Sequence, residues 1–321
     1  MGSNLKKKKK KKPVIYRARR TVVRSHTSVI LCLTAINFLW EPFQRGFFCG
    51  DESLMFPYKD DTVTVLMLRA VGVALPLGAF LICEWLLLRK ERSGQHCFGI
   101  PIPAWVNGAY CASISFAIGA CFCELATEIA KNTIGRNRPH FFDLCKPSID
   151  CSLPEWQGRY IQSQDYTCTG DHADKFSNMR KSFLSGHSSW AAFTMIYLAL
   201  YLERRMVWNG SRVLRHSLQF AVVMLSWYTA LSRVSDFKHH WSDVLAGYAL
   251  GLTVAVLMVG IIFFELFRLI KCYKTRGVLL GTLKSSAIKP GGDYATPSHD
   301  KHPKKLFTGE AYVSSGSLLV I

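Results

Sequence analysis

Residues 232–243 read Ser-Arg-Val-Ser-Asp-Phe-Lys-His-His-Trp-Ser-Asp and link two apolar runs, each long enough to cross a bilayer as a helix. The link holds two histidines, two basic side chains and two carboxylates. Ionisable groups at a membrane edge are costly to bury, so this concentration of them indicates a functional site. If a helix starts at His239, Asp243 lies one turn further on the same face, where a carboxylate can fix the tautomer of an imidazole.

Apolar residues in the rest of the chain also fall into long blocks. A helix of about 20 apolar residues spans the ~30 Å hydrocarbon core of a bilayer. Six blocks have roughly that length, at residues 26–44, 64–88, 104–130, 183–202, 216–233 and 242–270. A soluble protein of this size would show shorter, periodic apolar patches. The sequence therefore predicts an all-α integral membrane protein with six transmembrane helices.

The charges that flank these blocks predict the side of the membrane on which each link lies. Basic residues cluster at 6–24, 89–92, 204–215 and 271–276. Links rich in Lys and Arg face the cytoplasm, and an even number of helices places all four clusters on that side. Both termini are then cytoplasmic.

The same pattern divides the chain into three parts: a basic cytoplasmic tail at 1–24, a six-span domain at 25–272 and a cytoplasmic, mostly disordered tail at 273–321. The lysine run of the first tail is either a solvated segment or one attracted to anionic lipid.

The link at 131–182 departs from the charge rule, because parity places it outside although it carries many cations. Arg233 and Lys238 lie on the same side. Cations gathered at one membrane face suggest an anionic substrate. The loop cysteines on this side are Cys49, Cys145, Cys151 and Cys168. If this side is oxidising, one or two disulfides are expected, but the sequence does not give their connectivity.

Two further polar segments lie at helix ends on the face of the opening link. In the first, Lys131 follows the third block, and the proline after Arg138 stops the helix. In the second, Ser185-Gly-His187 opens the fourth block, where free N–H groups and a hydroxyl can meet an anion. Each of the three segments also has a simpler interpretation. The cations of the first segment would only extend to the membrane interface, the second would be a serine cap beside an incidental histidine, and the opening link would be a hydrated loop. Because three helix ends share one face, we expect them to converge on one pocket.

Such a pocket can hydrolyse a phosphate ester. Three cations can hold a phosphate and the charge of a pentavalent transition state without a metal. These cations are Lys131, Arg138 and Arg233. We assign attack on phosphorus to His239, because Asp243 can orient it, and acid–base work to His187. No outer-face cluster has the ligand spacing of zinc or the paired carboxylates of a magnesium site, so no metal or other cofactor is predicted.

The three segments resemble the signature motifs of the type 2 phosphatidate phosphatase superfamily. The motifs are Lys-x6-Arg-Pro, Pro-Ser-Gly-His and Ser-Arg-x5-His-x3-Asp, and here they start at Lys131, Leu184 and Ser232. Leu184 replaces the proline of the second motif. Arg45-Gly-Phe-Phe-Cys and Phe56-Pro-Tyr-Lys are similar to the animal lipid phosphate phosphatase branch.

The resemblance implies magnesium-independent hydrolysis of phosphatidate, lysophosphatidate, sphingosine 1-phosphate and ceramide 1-phosphate at the extracellular or lumenal face. It implies a phosphohistidine intermediate on His239, with His187 as the acid. It also implies a phosphate-binding set of Lys131, Arg138, Ser185, Gly186 and Arg233. The plasma membrane is the expected location, with internal membranes as the alternative. Membrane lipids are expected partners, nucleic acid is not, and a homo-oligomer stays open.

Two other functions stay open. A catalytically silent relative would bind lipid phosphates without turnover, although no motif side chain is missing here. A sugar-phosphate phosphatase of the same superfamily would share the motifs, but the matches at Arg45 and Phe56 favour the lipid branch.

Overall fold

Long helices form the body of the structure, a computed structural model that describes residues 40, 42–91, 96–97, 100–171, 175–206 and 212–260. In chain order the helices are α1 (Val65–Leu88), α2 (Ala104–Ile134), α3 (Phe141–Cys145), α4 (Phe176–Met179), α5 (Gly186–Arg205), α6 (Arg212–Ser235) and α7 (Trp241–Gly260). Four short strands are β1 (Phe47–Phe48), β2 (His96–Cys97), β3 (Ile100–Pro101) and β4 (Tyr160–Ile161). β1 pairs antiparallel with β4, and β2 with β3.

Five of the six predicted blocks coincide with the long helices. α2 continues to Ile134, so Lys131 lies in its last turn rather than after it. The first block, 26–44, lies mostly outside the described residues. Its described end, residues 40 and 42–44, is not helical, so the prediction of a helix to residue 44 was wrong. The predicted tails and the end of the sixth block also lie outside the described part of the chain.

Three of these helices, α1, α2 and α7, are long and apolar enough to cross a membrane. α5 is less apolar than α1, and it packs against α1, α2 and α6. Its Phe193 and Tyr197 are fully buried. α6 is amphipathic, and its buried stripe includes Thr229 and Arg233. Polar groups that meet protein rather than lipid do not require a fully apolar sequence.

A buried carboxylate ties α1 to α5 near the C-terminal ends of both helices. Glu84 accepts a hydrogen bond from the Tyr201 hydroxyl at 2.8 Å and forms an ion pair with Arg205. A buried charge without partners would be strongly destabilising, so this trio fixes the two helices against each other.

The connections before α1 and between α2 and α5 fold together into a small domain, which we call the cap (residues 42–61, 136–171 and 175–182). Its own apolar core includes Phe47, Phe141, Ile161 and Met179, and the rings of Phe47 and Phe141 lie 5.3 Å apart. Two disulfides, Cys49–Cys151 and Cys145–Cys168, cross-link the cap. The structure therefore supplies the connectivity that the sequence could not give.

The cap is joined to the helix bundle by a glycine turn. Gly135 ends α2 with a φ of 57°, and a Cβ atom there would lie 1.8 Å from the carbonyl oxygen of Phe43. Only glycine combines this left-handed backbone with so close an approach. The turn leads directly to Arg138, whose N–H donates to the carbonyl of Met179 at 2.8 Å.

Candidate active site

The three predicted helix ends meet around one cavity of about 210 Å³. It is formed by α1, α2, α5, the end of α6, the link between α6 and α7, and the cap. Six of the eight site residues predicted from the sequence line it: Lys131, Arg138, Gly186, His187, Arg233 and His239. The other two, Ser185 and Asp243, are fully buried and do not line it.

One hydrogen bond fixes the ring of His239, which is almost fully buried. Its Nδ1 lies 2.6 Å from the carbonyl oxygen of Ser182. Because a carbonyl can only accept, Nδ1 carries the proton, and Nε2 of the neutral ring keeps a free lone pair. Burial lowers the pKa of His239 well below its ordinary value, and the charges of Arg138 and Lys131 lower it further. The ring is therefore neutral at physiological pH, with Nε2 as its nucleophilic atom.

Asp243 does not pair with His239, so the predicted direct contact was wrong. His239 precedes α7, which begins at Trp241. Phe237, with a φ of 55°, turns the chain just before it. The two residues therefore do not share one helical face, and the four-residue spacing has no structural meaning here.

Asp243 instead braces the residue that holds His239. Its Oδ2 accepts a hydrogen bond from the Ser182 hydroxyl at 2.6 Å, and its Oδ1 pairs with Nη1 of Arg136 at 2.5 Å. Ser182 and Asp243 are both fully buried. Asp243 thus positions His239 through Ser182, whose hydroxyl it holds and whose carbonyl meets the imidazole.

His187 lies in the first turn of α5 and lines the same cavity. Its Nε2 is buried and has no hydrogen-bond partner among the described residues. A buried polar atom without a partner is costly, and it indicates a place where a ligand or water completes the bonding. The ring can therefore exchange a proton with a group bound in the cavity.

Two of the predicted cations come from the end of α2 and the start of the cap. Lys131 pairs with Glu128 at 2.7 Å, and a Cβ atom on Gly186 would lie 3.1 Å from the Lys131 Nζ. Arg138 donates to Asn178 at 2.9 Å, while its buried Nε has no partner among the described residues. Burial lowers the pKa of Arg138 to about 10, so the guanidinium stays charged at neutral pH.

Arg233 is buried between two carboxylates. Its guanidinium lies 2.9 Å from Asp61 and 2.8 Å from Asp236. Asp236, to which sequence reasoning assigned no role, also accepts hydrogen bonds from the N–H and hydroxyl of Thr62 at 2.8 and 2.7 Å. Burial opposes its ionisation, but the Thr62 hydrogen bonds and the Arg233 charge hold the pKa of Asp236 below its ordinary value. Asp236 therefore fixes the arginine in place.

Sequence reasoning missed Asp61 and left Lys238 out of the phosphate-binding set, yet both line the cavity. Asp61 bonds Arg233 and lies 3.8 Å from the Lys238 Nζ. Lys238 is buried and stacks on Tyr58, 3.7 Å from the ring centre. Asp61 therefore occupies the donors that a phosphate would use. The available signal was a carboxylate directly before α1, on the face where the cations gather.

Ser185 caps α5 rather than lining the cavity. Its hydroxyl accepts a hydrogen bond from the N–H of Ser188 at 3.4 Å, and its own N–H donates to the Asp243 carbonyl at 3.1 Å. These bonds fix the start of α5, so that Gly186 and His187 face the cavity. Within the described ranges, no group of three or more His, Cys, Asp or Glu side chains is arranged to hold a metal ion.

Several known proteins are similar to this chain in sequence. Residues 109–266 match the family model of the PAP2 superfamily. The chain is 44% identical to "Putative phosphatidate phosphatase" of Drosophila melanogaster, over 75% of this chain and 68% of that protein. It is 41% identical to "Phospholipid phosphatase 1" of Rattus norvegicus, over 68% of this chain and 75% of that protein. It is 36% identical to "Phospholipid phosphatase 2" of Homo sapiens, over 71% of this chain and 75% of that protein.

The chain belongs to the phospholipid phosphatase family. It is therefore a phosphatase. Its apolar helices make it an integral membrane protein. No solved structure matches the chain significantly.

Proposed function

We propose that the protein hydrolyses lipid phosphate monoesters without magnesium, with phosphatidate, lysophosphatidate, sphingosine 1-phosphate and ceramide 1-phosphate as substrates. The observation that carries this proposal is the hydrogen bond from His239 Nδ1 to the Ser182 carbonyl. It leaves Nε2 free to attack phosphorus in a cavity lined by cations. The names of the relatives, a phosphatidate phosphatase and phospholipid phosphatases, support the lipid substrate class.

In the first step, Nε2 of His239 gives its lone pair to phosphorus while the bond from phosphorus to the lipid oxygen breaks. His187 enters this step protonated, which the negative charge of the bound phosphate favours. It gives its proton to the lipid oxygen, so the lipid leaves as an alcohol. The cations Lys131, Arg138 and Arg233 stabilise the charge on the remaining phosphate oxygens.

In the second step, the neutral His187 takes a proton from a water molecule whose oxygen attacks phosphorus. The bond from phosphorus to Nε2 of His239 breaks, and its electron pair returns to the imidazole. Phosphate leaves, and both histidines regain their starting states. Ser182 and Asp243 hold the His239 ring at a constant angle through both steps.

We infer that six transmembrane helices carry the site, with both termini in the cytoplasm and the cap on the extracellular or lumenal side of the plasma membrane. Two cap disulfides support this orientation, because disulfides persist in oxidising compartments. A tag inserted after the exposed Pro154 of the cap tests it. The tag should stain on intact cells. Staining only after permeabilisation, together with protease protection of the tag, would mean an internal membrane.

The reaction is tested with purified full-length protein in detergent micelles, supplied with lysophosphatidate and EDTA. His239→Ala should abolish phosphate release, and His187→Ala should lower it by about 10²- to 10⁴-fold, the usual contribution of acid–base catalysis. A rapid quench should capture a phosphoryl group on the protein that is absent in His239→Ala. The matched control is His216→Ala, which removes an exposed histidine of α6 bonded to Gln219. Normal turnover in His239→Ala would refute the mechanism.

Two other functions predict different results in the same preparation. A silent binding relative would retain a lipid phosphate but release no phosphate from it. A sugar-phosphate phosphatase would show a higher kcat/KM for a hexose phosphate than for lysophosphatidate. The lipid proposal predicts the reverse order.

A further inference from the structure

A second chamber, of about 150 Å³, adjoins the catalytic cavity. The two share four lining residues: Asp61, Arg138, Asn178 and Lys238. The remaining walls differ. The catalytic cavity reaches Val65 and Leu68 of α1, a helix apolar enough to span a membrane. The second chamber is otherwise lined by the cap, including Tyr58 and Lys175.

Cations dominate the second chamber. Lys175 and Lys238 both stack on Tyr58, with Nζ atoms 4.5 and 3.7 Å from the ring centre. Arg138 adds a guanidinium whose buried Nε has no partner among the described residues. Asp61 is the carboxylate of this wall. Three cations against one carboxylate give the chamber a net attraction for anions.

Histidine does not add to this charge. His140 lines the chamber, and its Nδ1 lies 2.8 Å from the carbonyl oxygen of Phe237. Burial lowers the pKa of His140 to about 4, so the ring is neutral at physiological pH. The attraction therefore rests on the three permanent cations.

The two chambers lead to different surroundings. A lipid tail is compatible with the apolar side chains of α1, whereas a free phosphate ion is not. On the cap side, Asn178 is exposed to solvent and Lys175 is half-buried. A phosphate held by Arg138 and Lys238 already touches residues of the second chamber, so it can pass to Lys175 without losing all its partners.

We propose that this second chamber binds inorganic phosphate on its way from the catalytic cavity to water, with Lys175 as its chamber-specific ligand. The proposal rests on the phosphatase function proposed above. It separates two paths: the lipid meets the site from α1, and phosphate leaves through the cap. Lys175 takes no part in bond breaking.

Product inhibition tests this proposal. The full-length protein in detergent micelles hydrolyses lysophosphatidate while inorganic phosphate is titrated, and the inhibition constant for phosphate is compared between variants. Lys175→Gln should raise that constant about three- to fivefold, the effect of one partly exposed charge contact. The KM for lysophosphatidate should stay unchanged. Lys175→Arg keeps the charge and should stay near the wild-type value.

Lys146→Gln is the matched control, because Lys146 is also a cap cation but pairs with Asp171 and does not line the chamber. It should leave the inhibition constant unchanged. An unchanged constant in Lys175→Gln, or an equal shift in Lys146→Gln, would overturn the proposal, since the latter would indicate a general effect of charge. Failure of the wild-type protein to release phosphate would refute the proposed function itself.

Discussion

Replacing Ser182 by alanine tests whether Asp243 acts on His239 through this intermediate residue. The substitution removes the hydroxyl that donates to Asp243 at 2.6 Å, a contact between two fully buried groups. A hydrogen bond to a charged group contributes about 1.5–3 kcal/mol. If the transition state depends on this bond, kcat should fall about 10- to 150-fold. Because ring orientation affects attack rather than substrate binding, KM should change little.

The assay is phosphate release from lysophosphatidate by the full-length protein. Asp243→Asn should lower kcat at least as much as Ser182→Ala, because it also weakens the contact with Arg136. Two residues that act through one contact should show non-additive effects. The double variant should therefore be no more than about threefold slower than Asp243→Asn alone, well short of the product of the two single losses.

Ser188→Ala is the control for a lost buried hydroxyl. Ser188 is fully buried, and its hydroxyl donates to the carbonyl of Val244 in α7 at 2.7 Å rather than to Asp243. Its kcat should stay within about threefold of wild type, since it lies outside the contacts that hold His239. A Ser182→Ala variant as fast as wild type, beside an Asp243→Asn variant that is more than about 100-fold slower, would refute the reasoning and favour direct action of Asp243 on His239.

Three further predictions follow from other contacts. Asp61→Asn should lower the KM for lysophosphatidate about three- to fivefold, because it frees Arg233 and Lys238 to bind phosphate. Asp60→Asn, which changes the exposed neighbouring carboxylate, should leave the KM unchanged. Equal effects of the two substitutions would indicate a general effect of net charge. The lowered pKa of His239 keeps the ring neutral as pH falls, so the acid limb of kcat/KM should lie below that of an ordinary histidine, ~6.5; a limb at that ordinary value would contradict the burial argument. The double substitution Cys145→Ser and Cys168→Ser should destabilise the cap by about 3 kcal/mol and lower its Tm. Because the bond is already absent, a reductant should not lower the Tm of this variant further through it. An unchanged Tm would show that the bond does not stabilise the cap.

The helix ends that form the site could be predicted because they depend on counting apolar blocks. Parity placed Lys131, His187 and Arg233 on one face, and the structure has them around one cavity. The contact between Asp243 and His239 could not be predicted in this way. It depended on where α7 begins, and the left-handed backbone at Phe237 delays that start past the histidine.

The fold of the cap could not be predicted from the sequence for a different reason. Its strands are only two residues long, and its core joins residues far apart in the chain, such as Phe47 and Ile161. Neither alternation nor helical periodicity marks such segments. The role of Asp61 could not be predicted either, because it depends on a contact with Arg233, which lies 172 residues further along the chain.

The two cap disulfides also have a consequence for when the site becomes complete during biosynthesis. His187 comes from α5 and His239 from the link between α6 and α7, whereas the cap supplies Arg138, the proposed phosphate ligand, and Ser182, which bonds His239. Disulfides form in oxidising compartments and not in the reducing cytosol. In the orientation proposed above, a newly made chain would complete this site only after the cap has crossed the membrane and its cysteines have been oxidised. This order of assembly would protect the phosphorylated lipids of the cytosolic leaflet from premature hydrolysis.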